Sequence, residues 1–125
     1  MKQHLFGSQL KEIEYNNRIV LISLVTGIKR EYVEDEYNKG IKREEDMLRK
    51  YAYNVNIGEL IEIIENNTGQ FPVPIVNRGE YKIYIEWMNS NGDKFCIESD
   101  IYQSYCDALF EIVKKLFISN NISVI

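Results

Sequence analysis

A chain that performs chemistry needs side chains able to move protons, attack a substrate or hold a metal, and here that inventory is short. His4 is the sole histidine, and a terminal position of this kind is expected to be mobile, which makes it a poor general base. With one imidazole, no nucleophile, base and orienting carboxylate can be assembled from Ser, Cys, His and Asp. The two cysteines, Cys96 and Cys106, have no histidine partner and offer neither a zinc ligand set nor a disulfide framework. They read as a small strand residue and a small core filler. Glu59, Glu62 and Glu65 recur every three residues, and carboxylates alone can build a metal-dependent hydrolase. Beside apolar Ile57, Leu60, Ile61 and Ile64, however, the same spacing is that of a solvated helix face. The glycines stand at 7, 27, 40, 58, 69, 79 and 92, too scattered for a P-loop or a G-x-G-x-x-G turn. The reading is a non-enzymatic protein without cofactor or metal, with a metal-dependent hydrolase kept as a third alternative.

Aromatic residues are the more suggestive excess. Nine tyrosines, five phenylalanines and one tryptophan exceed what one small core needs, and tyrosine suits surfaces where the ring is buried and the hydroxyl meets a partner. Tyr32, Tyr37, Tyr51, Tyr53 and Tyr84 fall outside the core that periodicity predicts. Beside them lie carboxylates, and Glu31, Tyr32, Glu34, Asp35, Glu36, Tyr37, Tyr84 and Glu86 form the candidate partner-binding set. The partner they suit is a protein with a basic surface. Self-association into a homodimer is left open.

Charge sharpens this. The formal net charge is −4, and residues 53–125 carry ten acidic against five basic side chains, while residues 1–52 are nearly balanced. Nucleic acid and anionic membrane surfaces are disfavoured, because both are bound through basic stripes. From Lys29 to Lys50 seven basic and seven acidic residues largely cancel.

The segment ISLVTGIKREYV resembles the core spacing of a helix-turn-helix motif, with Ser23 as the small residue, Gly27 in the turn and Ile22, Ile28 and Val33 as packing positions. The resemblance implies the alternative function, a DNA-binding transcriptional regulator using residues 19–38. Its second helix departs from the pattern: Lys29 and Arg30 stand against Glu31, Glu34, Asp35 and Glu36, and Glu36 occupies a position that normally takes an apolar residue.

The positioning elements are clearest after residue 52. Asn56 caps a helix with Glu59 three residues on and Gly69 to stop it. Pro72 and Pro74 force an extended segment that cannot be a central strand. Tyr81, Ile83, Ile85 and Trp87 alternate with polar neighbours as a half-buried strand. A three-residue loop Ser90-Asn91-Gly92 pairs Trp87 with Phe95 and Ile85 with Ile97, a better match than a two-residue Asn-Gly turn. Asp100 and Gln103 then open a long amphipathic helix ending near Ile118, and Ile122–Ile125 could add an edge strand. In the first half, residues 10–25 read as a β-hairpin turning at Asn16-Asn17, on their β-branched content, with a pair of helices as the competing reading. IKREEDMLRKY reads as a solvated helix with Lys42/Asp46 and Glu45/Arg49 pairs.

Together these predict one α+β domain over residues 1–125, charged in 1–52 and better defined in 53–125, with a hairpin at about 80–98 packed against a helix at about 100–118. At 125 residues, 45% apolar and 27% charged, the chain is long enough to bury one core. It lacks an apolar run able to span a bilayer or an N-terminal signal segment, so a cytoplasmic setting is expected. Ile, Asn, Lys and Tyr supply 49 of its residues, the usage of an AT-rich genome. The expected role is a small acidic inhibitor or regulator, carried by a phage or other mobile element and acting on a host protein.

Overall fold

The computed structural model describes residues 2–39, 44–119 and 121. Among these, six helices and a three-stranded antiparallel sheet form a small α+β fold. The chain divides into two compact units, His4–Asn56 and Met1–Gln3 with Ile57–Ile125.

The first unit is helical: α1 (Gly7–Leu10), α2 (Tyr15–Thr26), α3 (Arg30–Lys39) and α4 (Glu44–Asn54). The hairpin expected over residues 10–25 is therefore corrected to two helices. Ile19, Val20, Leu21 and Ile22 are buried in succession, which a half-exposed strand cannot achieve but a helix enclosed by α3 and α4 can. The magnitudes agree. β-Branching costs a helix a few tenths of a kcal/mol per residue, whereas each buried aliphatic side chain contributes about 1.5–3 kcal/mol. Gly27 ends α2 at φ +73°, its N–H bonded to the Ser23 carbonyl at 2.9 Å, as a left-handed residue should. The Ser23 hydroxyl donates to Ile28 O at 2.6 Å and ties the turn into α3.

The charged helix begins near its expected place, although Lys42 and the side chains of Glu45 and Asp46 lie outside the described residues, so the expected pairs do as well. Its inner face is not solvated: Leu48, Tyr51 and Ala52 are buried. Against it lies α1, where a methyl on Gly7 would stand 3.0 Å from the Arg49 backbone nitrogen. His4 is not loose either. It bridges to Asn56, donates from Nδ1 to Leu5 O at 2.8 Å and meets the Tyr53 ring in a tilted contact at 4.9 Å.

The second unit holds α5 (Ile57–Thr68), β1 (Pro74–Asn77), β2 (Glu80–Met88), β3 (Lys94–Glu98) and α6 (Tyr105–Ile118). As the sequence predicts, Gly69 stops α5 at φ +73° and Trp87 pairs with Phe95 and Ile85 with Ile97. Gly92 takes φ +85° in the loop, and Asn89 Oδ1 accepts the N–H groups of Asn91 and Asp93, both at 2.9 Å. The inner sheet face, Ile83, Ile85 and Trp87, is buried together with Leu109, Ile112, Val113 and Leu116 of α6, which packs on β2 and β3.

Two features depart from expectation. β1 pairs with the start of β2 through the turn Asn77-Arg78-Gly79-Glu80, whose central residues both have positive φ, 53° and 77°, the type I′ signature. Helix α6 begins at Tyr105, not Asp100, with Ser104 Oγ accepting from Asp107 N at 3.3 Å. Residues 99–102 stay extended because Tyr102 exchanges main-chain hydrogen bonds with Tyr81. The Glu111 carboxylate binds Asp100 N–H at 2.5 Å and Tyr102 OH at 2.8 Å. Ile122–Ile125, expected as an edge strand, lie outside the described residues.

Candidate protein-binding surface

Helix α3 carries six of the eight candidate residues, and its helical period sorts them. Tyr37 turns inward: it is buried, accepts from Arg18 Nη1 at 2.6 Å and meets Tyr15 edge-on at 5.4 Å. Glu36 is engaged within the unit, accepting from the Tyr51 hydroxyl and from Lys50 Nζ at 3.3 Å. These contacts hold its carboxyl below the ordinary range, the Tyr51 bond first and Lys50 after it, against a smaller opposing effect of burial. Conversely, burial and then Glu36 push the Tyr51 phenol up. What α3 presents outward is Glu31, Tyr32 and Asp35, with Glu34 half-buried; Tyr32 is 62% exposed.

Tyr84 and Glu86 belong to the other unit, on the face of β2 opposite the core. Register puts Ile75 beside Lys82, Glu98 beside Tyr84, Cys96 beside Glu86 and Lys94 beside Met88, and side chains directly opposite share a face. Tyr84, Glu86, Met88, Lys94, Cys96 and Glu98 are all exposed, so no helix covers this face among the described residues. The Tyr84 phenol is pushed up to about 12, chiefly by its hydrogen bond to Glu86 and then by desolvation, Glu86 charge and Cys96.

Beside this face runs a surface that sequence reading missed. Phe71, Val73, Ile75 and Val76 are 54%, 64%, 61% and 56% exposed, four large apolar side chains within one short stretch. The two prolines signalled an extended segment, and the apolar residues around them carried the rest of the message. An isolated exposed valine is ordinary, but four exposed large apolar residues within six positions are an unusual concentration of the kind that contact surfaces carry.

Where the sequence raised other chemistry, the geometry is as follows. Among the described residues, no group of three or more His, Cys, Asp and Glu side chains converges on a common point. Along α5, Glu59 is pushed up by burial and by Glu62. Cys96 is exposed, and Cys106 is buried with its thiol pushed up to about 11, mainly by desolvation. No helix among the described residues is long and apolar enough to cross a membrane. Compared with known proteins, the chain matches no family model, no curated protein and no solved structure.

Proposed function

We propose that this protein is a non-enzymatic protein-binding module, a small acidic inhibitor or regulator that acts by occupying another protein. The observation that carries this reading is the set of exposed apolar residues Phe71, Val73, Ile75 and Val76 beside the exposed sheet face of Tyr84 and Met88. Burial of such side chains is the main driving force of association, and the exposed carboxylates of Glu86 and Glu98 on that sheet face fit a partner with basic groups around its contact surface. The test is capture from an extract of the native host on immobilised full-length chain. The wild type should retain one protein near stoichiometrically, and Ile75→Glu should lose it while melting at the same temperature, because Ile75 is exposed and contributes little to the fold. Equal retention by both would defeat the reading.

A second reading has one observation in its favour. Helix α2, the turn at Gly27 and α3 reproduce the order of a helix-turn-helix, with Ile22 and Val33 buried, although Ile28 is exposed. The outward residues Glu31, Tyr32 and Asp35 oppose phosphate, so this arrangement is better suited to protein than to DNA.

A further inference from the structure

Strand β2 is longer than the strand beside it. β1 pairs with Glu80–Ile83 only, whereas β2 continues to Met88. The direction of each main-chain group follows from the bonds made on the other side. Ile83 donates to Ser99 Oγ at 2.9 Å and accepts from Ser99 N–H at 2.8 Å, Tyr81 exchanges bonds with Tyr102, and Asn89 N–H reaches Asp93 O at 3.0 Å. Odd-numbered residues of β2 therefore face β3, and even-numbered ones face the β1 side. Beyond Pro74 the preceding chain leaves the sheet, since Val73 N–H turns back onto Phe71 O at 2.9 Å. The N–H and C=O groups of Tyr84, Glu86 and Met88 thus face no strand among the described residues.

We propose that this side of β2, from Tyr84 to Met88, receives one extended peptide strand of a partner protein, apolar at alternate positions and bearing a lysine or arginine opposite Glu86. This rests on the protein-binding reading and specifies how the partner is held. Free strand groups in register specify an added strand by main-chain hydrogen bonding, and adjoining pockets select its side chains. On the core side, a cleft of about 420 Å³ opens between the end of α5 and Trp87, Met88 and Asn89. Among the described residues Glu65 lines that cleft and no lysine or arginine does, so with Glu86 on the outer face the local charge favours a cationic residue. The free edge of β1 is a poorer template. Pro74 stands opposite Ile83, whose groups point away from it, so the proline nitrogen that lacks a hydrogen lies on that edge. A second copy is also a poorer occupant, because antiparallel pairing about Glu86 would set two carboxylates opposite each other.

The test uses the full chain, isotope-labelled, with a blocked synthetic peptide Val-Thr-Val-Lys-Val-Thr-Val as probe. Binding should slow hydrogen exchange at the Tyr84, Glu86 and Met88 amides by at least about tenfold. Glu86→Lys, an exposed and fold-neutral change, should weaken the peptide by about tenfold, and a peptide with glutamate in place of the lysine should restore binding to that variant. Equal binding by a peptide N-methylated at the alternate positions whose amides would face β2 would overturn the inference, as would binding without protection of those three amides. So would protection of the same amides in the free protein, since the edge would then already be taken. If Ile75→Glu abolishes host-protein capture while Glu86→Lys and the three amides are unaffected in the complex, the strand inference fails and the protein-binding reading stands.

Discussion

Arg18 is a buried guanidinium within α2, and three acceptors converge on it: Leu10 O at 2.9 Å, Ile13 O at 3.2 Å and the Tyr37 hydroxyl at 2.6 Å. It closes the end of α1 and the turn after it onto α3. Nothing in the sequence marks it, because a lone arginine beside an apolar run reads as a solvent-facing side chain until the run proves to be enclosed. Arg18→Met should destabilise the fold by about 3 kcal/mol, since it strands buried acceptors, which urea unfolding would measure. Glu36 and Tyr51 make a second residue-scale case. The lowered folded pKa of Glu36 gives stability that is present above the ordinary 4.5 and is lost as pH falls through the folded value. The raised folded pKa of Tyr51 gives stability that is present below the ordinary 10.0 and is lost as pH rises above it. Tyr51→Phe should therefore cost about 1 kcal/mol near neutral pH, and its deficit relative to wild type should shrink below about pH 4 and above about pH 11. A deficit independent of pH would show that the pair is not coupled through ionisation. Of the eight residues read as a contact set, α3 turns Tyr37 inward and uses Glu36 within the unit, leaving Glu31, Tyr32 and Asp35 outward. That division is a matter of helical phase, which composition does not reveal.

The elements differ in how openly their residues announce them. The β2–β3 hairpin and α5 were legible because short-range signals agree: alternation, a loop length that matches the register, an asparagine at the start and a glycine at the end. The β1–β2 hairpin was not, because Arg78-Gly79 is an uncommon choice for a turn that needs positive φ at both central residues. Arg78→Asn should relieve that strain and stabilise the protein by about 0.5–1 kcal/mol, seen as a rise of a few degrees in melting temperature. No change would mean that the Arg78 side chain compensates for its backbone. The late start of α6 has a long-range cause. Glu111, on the helix itself, holds the Asp100 amide, and Tyr102 is committed to an isolated bridge with Tyr81, so the residues before Tyr105 stay out of the helix.

Across the whole molecule, the net charge of −4 and the acidic outward face of α3 predict no tight or salt-sensitive binding to mixed duplex DNA. A fluorescence titration at low salt would check this. Binding that weakens with salt and with Lys29→Glu or Arg30→Glu would favour the regulator reading instead. The sequence alone determined the α+β class, the hairpin register, α5 with its stop at Gly69 and the burial of Ile83, Ile85 and Trp87 under the last helix. These follow from the period of apolar residues and from turn residues a few positions away, both local quantities. Tertiary structure alone decided that residues 15–26 are helical, that Arg18 and Glu111 are interior, and that β2 outruns β1, so that the main-chain groups of Tyr84, Glu86 and Met88 on that side face no strand among the described residues. Each of those outcomes depends on what encloses a segment from a distance along the chain, and enclosure outweighs local propensity because burying one large side chain is worth several residues of intrinsic preference.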